Sequence, residues 1–118
     1  MSNRMDSSSA VAALGALAHD HRLAVFRLLV QAGPDGIAAG ALAERLGLPA
    51  SSLSFHLAHL HRAGLAKQRR HGRSLIYSAA YPAMNALMGY LTENCCGGVA
   101  CDAAAACEPS LKSERKTA

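Results

Sequence analysis

Hydrophobic residues recur at helical spacing through most of the chain. Val11, Leu14 and Ala18 share one face of a first predicted helix, and Leu17 lies beside that face. The polar, serine-rich residues 1–9 are expected to be frayed, so this helix is predicted to begin at residue 10. Its apolar face needs another apolar surface to cover it.

Two further helices are predicted on either side of a strong chain break. Asp20 is a good N-cap for a helix over about 21–32, which ends at the Gly-Pro-Asp-Gly sequence of residues 33–36. A short helix over about 38–46 follows, and Gly47 is typical of the residue just past a helix end. The residues available to a core are Leu23, Val25, Phe26, Leu29, Val30, Ala38, Leu42 and Leu46.

The fourth predicted helix, over about 50–63, has two different faces. Leu53, Leu57 and Leu60 form an apolar stripe, and Gly64 ends the helix. The residues away from this stripe are Ser51, Ser52, Ser54, Phe55, Ala58 and His59. The helix is therefore expected to bury its leucines and to leave small polar side chains exposed.

A hairpin and a last helix complete the pattern. Leu65–Gln68 and Leu75–Ser78 have strand character, and Gly72 between them supplies the positive φ that a tight hairpin needs. After Pro82 a fifth helix is predicted to run to about Glu93. Its apolar face carries Met84, Leu87, Met88 and Leu91.

These elements predict an α+β, mainly helical fold, with about five helices and a two-stranded β-hairpin. One domain is expected over 10–94, preceded by a flexible N-terminus and followed by a tail at 95–118. A length of 118 residues suits one domain, and the scarcity of aromatic residues (4%) favours helices packed through Leu, Ala and Val. No run approaches the ~20 apolar residues that cross a bilayer, and the N-terminus is a poor signal peptide. We therefore expect a cytoplasmic protein with no membrane partner.

The formal net charge of +4 is unevenly distributed. No acidic residue lies between the first and last members of a basic series, which is Arg45, Arg62, Lys67, Arg69, Arg70 and Arg73. The same span contains His56, His59, His61 and His71. Such a stretch is either a solvated surface or the footprint of a polyanion partner. The local order of elements favours the second interpretation.

A helix, a glycine-containing turn, a helix with a small-polar face and a basic hairpin together describe a winged helix-turn-helix. A helix fits the major groove of DNA, and a basic hairpin can clamp the flanking phosphates. The predicted DNA-binding residues are Ser51, Ser52, Ser54, Phe55, His59, Arg62, Arg69, Arg70 and Arg73. Phe55 is either exposed against a thymine methyl or at the edge of the core. His56 is interpreted as a hydrogen-bonded structural histidine rather than a base reader.

Residues 41–65 (ALAERLGLPASSLSFHLAHLHRAGL) resemble the helix-turn-helix signature of the ArsR/SmtB family of metalloregulatory repressors. Residues 19–23 and 72–77 also fit, so the resemblance covers about 10–93. It implies a homodimer, paired through its first and last helices, that leaves a pseudo-palindromic operator on binding metal. The interface would include Val11, Leu14, Leu17, Met84, Leu87, Met88 and Leu91. Pro49 departs from the pattern, because many relatives have a capping serine there.

The four cysteines all fall late in the chain, at Cys95, Cys96, Cys101 and Cys107. Residues 97–98 are both glycine, so the chain can fold back and let Cys101 join the vicinal pair. Three thiolates in a pyramid suit trivalent arsenic or antimony, and soft thiolates also suit Zn(II), Cd(II), Pb(II), Hg(II) and Cu(I). Four-coordinate zinc would need Cys107 or a histidine as well. Incidental thiols on a tail are the alternative.

Two metal sites that are familiar in this family are absent from the sequence, and their absence favours the late cysteines as the ligands. The best-known arsenic sensors of the family carry Cys-x-Cys in the helix before the recognition helix, where residues 41–44 here contain no thiol. Its zinc sensors place Asp, His and Glu along the last helix, which here offers Asn85 and Glu93 but no histidine. Other arsenic-responsive members have cysteines at the end of the last helix, which Cys95-Cys96 resembles.

The resulting prediction is a homodimeric repressor of operator DNA that As(III), with Sb(III) as a second inducer, releases by binding Cys95, Cys96 and Cys101. Cys107 is the less favoured third ligand, because it would close a longer loop. The alternatives are a thiol-oxidation sensor, a Zn, Cd or Pb sensor, and a constitutive DNA-binding module whose tail only buffers metal. No enzyme and no catalytic cofactor are expected, because no nucleophile with its base, phosphate-binding loop or paired carboxylates can be found.

Overall fold

The computed structural model describes residues 5–98, which form five α-helices and a small sheet. The elements are α1 (Ser7–Leu17), α2 (Asp20–Ala32), β1 (Ile37–Ala38), α3 (Ala39–Leu46), α4 (Ala50–Arg62), β2 (Ala66–His71), β3 (Ser74–Ala79) and α5 (Tyr81–Leu91). A 3₁₀ turn at Cys95–Gly98 follows. The predicted α+β, mainly helical fold is confirmed.

The core is built largely from leucines of the helices. All three leucines of the predicted α4 stripe are at most 2% exposed, and they pack with Leu29 of α2 and Leu42 of α3. Burying one such side chain contributes roughly 1.5–3 kcal/mol. Leu23 was expected in this core but is 46% exposed. It lies two positions before buried Val25, about half a helical turn away, so the two point in nearly opposite directions.

Two helix starts differ from the prediction because side chains outside the apolar pattern cap them. The Asp6 carboxylate accepts a hydrogen bond from the Ser9 amide at 2.8 Å, so α1 begins at Ser7 rather than at Ala10. The same hydrogen bond holds the pKa of Asp6 below its ordinary value. Residues 7–9 are therefore helical rather than frayed.

Helix α2 is capped by an imidazole and not by the predicted carboxylate. The Nδ1 atom of His19 accepts a hydrogen bond from the His21 amide at 3.1 Å, which makes His19 the N-cap in place of Asp20. Asp20 is instead in the first turn, where a carboxylate favours the positive end of the helix dipole. At α4, Pro49 occupies the N-cap without a side-chain hydrogen bond, and the helix begins at Ala50.

The sheet has three antiparallel strands in the order β1-β3-β2, one more than predicted. The extra strand, β1, pairs Ile37 with Tyr77. Gly36 just before it has φ +81°, and a Cβ there would lie 2.6 Å from the Tyr77 carbonyl oxygen. At the other end of β3, Gly72 has φ +63° in the two-residue loop between β2 and β3, as the hairpin prediction required.

Helix α5 is anchored to α2 at its start. The Tyr81 hydroxyl donates a hydrogen bond to the Val30 carbonyl at 2.8 Å. The helix therefore begins at Tyr81, before Pro82, and it ends at Leu91 rather than at Glu93. Within residues 5–98, no helix combines the length and hydropathy needed to span a membrane.

Candidate nucleic-acid interface and cysteine turn

The α3–α4 pair forms a helix-turn-helix with an exposed polar face. Gly47 ends α3 in the left-handed conformation, with φ +66°, which turns the chain toward α4. On α4, Ser51 and Ser54 are exposed, and Phe55 is 63% exposed. Of the two positions that the sequence left open for Phe55, the structure has the exposed one. An exposed aromatic ring beside two serines can contact base edges, methyl groups and phosphates together.

The β2–β3 hairpin forms the wing beside this helix. Arg69, Arg70 and Arg73 are all exposed, so their guanidinium groups are available to a phosphate backbone. One of them is also held in place, because Arg69 Nη2 donates a hydrogen bond to the Asp35 carbonyl at 2.8 Å. The base of the wing is closed by Gln68 Nε2, which donates to the Tyr77 hydroxyl at 2.9 Å.

Two residues predicted to bind DNA are less accessible than the others. Ser52 and His59 are half-buried, whereas Arg62 is exposed. His59 and Arg62 line an open cleft of about 410 Å³ between α1 and α4. Within the described chain, His59 Nδ1 is buried without a hydrogen-bond partner. Desolvation, with the charges of Arg22 and Arg62, lowers the pKa of His59. His59 therefore faces α1 in part rather than a DNA groove alone.

His56 is only 7% exposed, so its predicted structural position is correct. The predicted hydrogen bond is wrong, because His56 Nδ1 has no partner among the described residues. Its ring instead lies 4.9 Å from that of His19 and 5.5 Å from that of His21, centroid to centroid. Desolvation and the charges of these neighbours lower its pKa. Sequence reasoning missed this cluster, whose only sequence signal is the pair of histidines beside Asp20.

The C-terminal end of α5 leads into a cysteine turn, which we define as residues 95–98. Thr92 Oγ1 donates to the Met88 carbonyl at 2.9 Å and finishes the helix. Asn94 and Cys96 then adopt positive φ values of 59° and 60°. Cys95 is half-buried, and its sequence neighbour Cys96 is exposed. Burial, with a hydrogen bond to Cys96, raises the pKa of the Cys95 thiol. The other two predicted ligands, Cys101 and Cys107, lie outside the described residues.

An uncovered apolar surface lies on α1 and α5, two helices that contact each other. Val11 and Leu14 of α1 are 65% and 42% exposed, and Met88 and Leu91 of α5 are each 57% exposed. Three other residues predicted at a dimer interface are placed differently. Leu87 is 6% exposed and belongs to the core of the protomer, and Leu17 and Met84 are half-buried against that core.

A helix-turn-helix with an exposed polar recognition face, flanked by a basic wing, defines a winged helix-turn-helix DNA-binding protein. Residues 17–69 match the family model described as a helix-turn-helix domain. The transcriptional regulator YgaV of Escherichia coli is 34% identical over 90 residues, which cover 76% of this chain and 89% of YgaV. The chain belongs to the family of helix-turn-helix transcriptional regulators.

Solved structures agree with this assignment. Reduced HlyU from Vibrio cholerae superposes with a TM-score of 0.58 at 30% identity, covering 74% of this chain and 90% of HlyU. The homodimeric winged helix-turn-helix domain of Mb0332 from Mycobacterium bovis, a possible ArsR-family regulator, has a TM-score of 0.59 at 26% identity. That match covers 80% of this chain and 92% of Mb0332. The relatives are transcriptional regulators and not enzymes, so the chain is a DNA-binding regulator of transcription.

Proposed function

We propose that this regulator is an ArsR/SmtB-type repressor that leaves its operator when C-terminal thiolates bind trivalent arsenic, with antimony as a second inducer. The observation that carries the proposal is the position of Cys95 and Cys96 a few residues after the end of α5, whose apolar side is exposed. A ligand held there acts on the end of the helix that is expected to pair the two protomers.

The dimer is proposed to form through the uncovered apolar surface of α1 and α5. Four large apolar side chains on this surface are exposed to water, namely Val11, Leu14, Met88 and Leu91. A second copy of the chain would cover them. The homodimeric state of Mb0332 supports the same assembly here. Two recognition helices would then meet two half-sites of a pseudo-palindromic operator in the cytoplasm.

The donor chemistry of the cysteine turn fits a thiophilic ion. Two thiols are adjacent in the cysteine turn, one exposed and one half-buried, and the glycine at 97 has φ +72°. Cys95 and Cys96 would supply two soft ligands, and Cys101 is proposed as the third because it closes a shorter loop than Cys107. Trivalent arsenic would supply a three-coordinate centre that joins these thiolates.

Release from DNA follows from thermodynamic linkage. If the ion-bound dimer binds the operator more weakly, DNA and ion must weaken each other's binding by the same factor. Drawing the chain after α5 toward Cys95 would shift the end of α5 against α1. Because the half-site spacing is strict, a small rotation between protomers is enough to separate one recognition helix from its groove.

The proposal is tested by fluorescence anisotropy of the reduced protein on a labelled fragment of its own promoter. Parallel titrations use arsenite, antimonite, Zn(II), Cd(II) and peroxide. The proposal predicts release at stoichiometric arsenite or antimonite and none by peroxide. Selective release by Zn(II) or Cd(II) would instead identify a divalent-metal sensor. Tight binding that no addition changes would leave a constitutive DNA-binding protein.

The second candidate function is a regulator that senses thiol oxidation. The observations that favour it are the vicinal thiols, one of them exposed, and the likeness to HlyU, whose structure was solved in a reduced form. Oxidation of Cys96 would change the same turn at the end of α5. This candidate predicts that peroxide releases the protein from DNA and that dithiothreitol restores binding. It also predicts that stoichiometric arsenite does not release the reduced protein from DNA.

A further inference from the structure

Three histidines from two different helices meet on one side of the molecule, away from the cysteine turn in sequence. His19 and His21 come from the start of α2, and His56 comes from the middle of α4. One ring nitrogen of each lies within 4.8 Å of the corresponding nitrogens of the other two. The ring centroids are 4.9 to 5.6 Å apart. We call these three residues the histidine cluster.

One nitrogen of this cluster has an unmet bonding requirement. His56 is 7% exposed, and its Nδ1 atom is buried without a hydrogen-bond partner among residues 5–98. Leaving a buried polar atom unpaired is costly, so native structures pair nearly all of them. The two neighbouring imidazoles provide no hydrogen bond to this atom, although their ring centroids lie 4.9 and 5.5 Å from that of His56. A bound cation would give the His56 ring a partner and use the other two rings as well.

We propose that the histidine cluster is a binding site for a divalent transition-metal ion, Zn(II) being the best match. Neutral imidazole is a good ligand for Zn(II), and three imidazoles with an open fourth position make a known zinc coordination. Bond lengths of about 2.0–2.1 Å require the nitrogens to stand roughly 3.3 Å apart. The exposed rings of His19 and His21 can rotate toward buried His56 to reach this separation from the present distances of up to 4.8 Å.

Charged and titratable side chains also lie near the cluster. Those that act on His56, besides the two cluster partners, are Arg22 and His59. Arg22 Nε donates a hydrogen bond to the Ala16 carbonyl at 2.7 Å. Neutral imidazole is the form that binds metal, so the binding test is made at neutral pH.

Metal binding would add a contact between distant parts of the chain. His19 Nδ1 accepts a hydrogen bond from the His21 amide and so caps α2, which leaves Nε2 as the ring nitrogen open to an ion. The ion would join the start of α2 to α4, one residue from exposed Phe55. The site would therefore tie the recognition helix to the α1–α2 turn. This role is independent of the thiolates and does not rest on arsenic sensing.

The test uses the full chain with all four cysteines replaced by serine, so that thiolates cannot bind the ion. Zn(II) is titrated against a chromophoric chelator, and proton NMR follows the imidazole signals. We expect one Zn(II) per chain, with the signals of three histidines shifted. His21→Ala and His19→Asn should each weaken binding at least about tenfold; Asn retains the ability to cap α2.

His71→Ala serves as the matched control, because His71 is an exposed histidine at the wing. It should bind Zn(II) as tightly as the thiol-free parent, and circular dichroism should show all variants folded. The proposal is overturned if the thiol-free chain binds no Zn(II), or if His71→Ala weakens binding as much as His21→Ala. Unchanged binding in both His19→Asn and His21→Ala would overturn it equally.

Discussion

Arg69 of the wing donates a hydrogen bond to the backbone carbonyl of Asp35, a residue 34 positions earlier in the chain, at 2.8 Å. The contact ties the wing to the turn between α2 and β1. Arg70 follows directly on the strand, and its side chain points to the other face of the sheet. Two neighbouring arginines with the same predicted DNA contact therefore differ in what they do for the fold.

Arg70→Gln should weaken DNA binding and leave thermal stability unchanged, because the side chain is exposed. Each lost phosphate contact makes the plot of log binding constant against log salt concentration less steep by about 0.9. Arg69→Gln should lower the melting temperature slightly in addition, since the Asp35 contact is lost. Salt-dependent anisotropy and thermal denaturation separate the two effects. Equal melting temperatures for the two variants would show that the Asp35 contact contributes nothing to folding.

Phe55→Ala should reduce affinity for the operator by about tenfold, the lower end of a base-specific contact. The side chain is 63% exposed, so its removal leaves no cavity and should not change stability. Competition with unrelated DNA distinguishes a contact of the Phe55 ring with bases from a contact that does not depend on the DNA sequence. A contact with bases predicts that specific binding falls more than non-specific binding, and a parallel fall in both would argue against base reading.

Met88→Glu should affect the dimer and Leu87→Ala the stability of the protomer, although both residues lie on α5. Met88 is 57% exposed, and a charge there should split the proposed dimer without unfolding the protomer. Leu87 is 6% exposed, so its truncation should lower the free energy of unfolding by about 2–4 kcal/mol. Sedimentation equilibrium and denaturant unfolding report these separately. A Met88→Glu protein that stays dimeric would move the interface elsewhere.

Acidification should destabilise the fold through His56. The pKa of His56 is lowered in the folded protein, mainly by desolvation and then by nearby cationic groups. As pH falls below the ordinary histidine pKa of about 6.5, the unfolded chain takes up a proton that the folded chain resists. The free energy of unfolding should therefore fall from roughly neutral pH toward pH 5.

The variant His56→Gln should show a shallower loss over the same pH range, measured by denaturant unfolding without added metal. His71→Gln is the control, since His71 lies exposed on the wing and away from the histidine cluster. If the slope is the same in His56→Gln and in the parent, desolvation of His56 does not contribute to acid sensitivity.

Much of the fold could be predicted from apolar periodicity and turn residues. The leucine stripe of α4 is an example of the first, and the positive φ of Gly72 in the hairpin is an example of the second. Sequence reasoning missed features of two kinds. Strand β1 has only two residues, too few for an alternating pattern, and it exists because Ile37 pairs with the distant Tyr77. The caps by Asp6 and His19 depend instead on local hydrogen bonds that hydrophobic spacing does not encode.

The candidate sites divide in the same way. An exposed Phe55 was one of two positions that the apolar stripe of its own helix left open, and the structure decides between them. The histidine cluster could not, because His56 is 35 residues or more from its two partners and meets them only when α4 packs on α2. Leu87 fits the same apolar face of α5 as Met88, and only the tertiary fold separates a core position from an exposed one.

The most direct test of the central claim compares operator affinity with and without arsenite for the parent chain and for Cys95→Ser/Cys96→Ser, by fluorescence anisotropy under reducing conditions. The account predicts that both proteins bind the operator equally well without arsenite and that stoichiometric arsenite releases only the parent. If the double variant is still released by arsenite, the cysteine turn is not the sensor and the proposed function is contradicted.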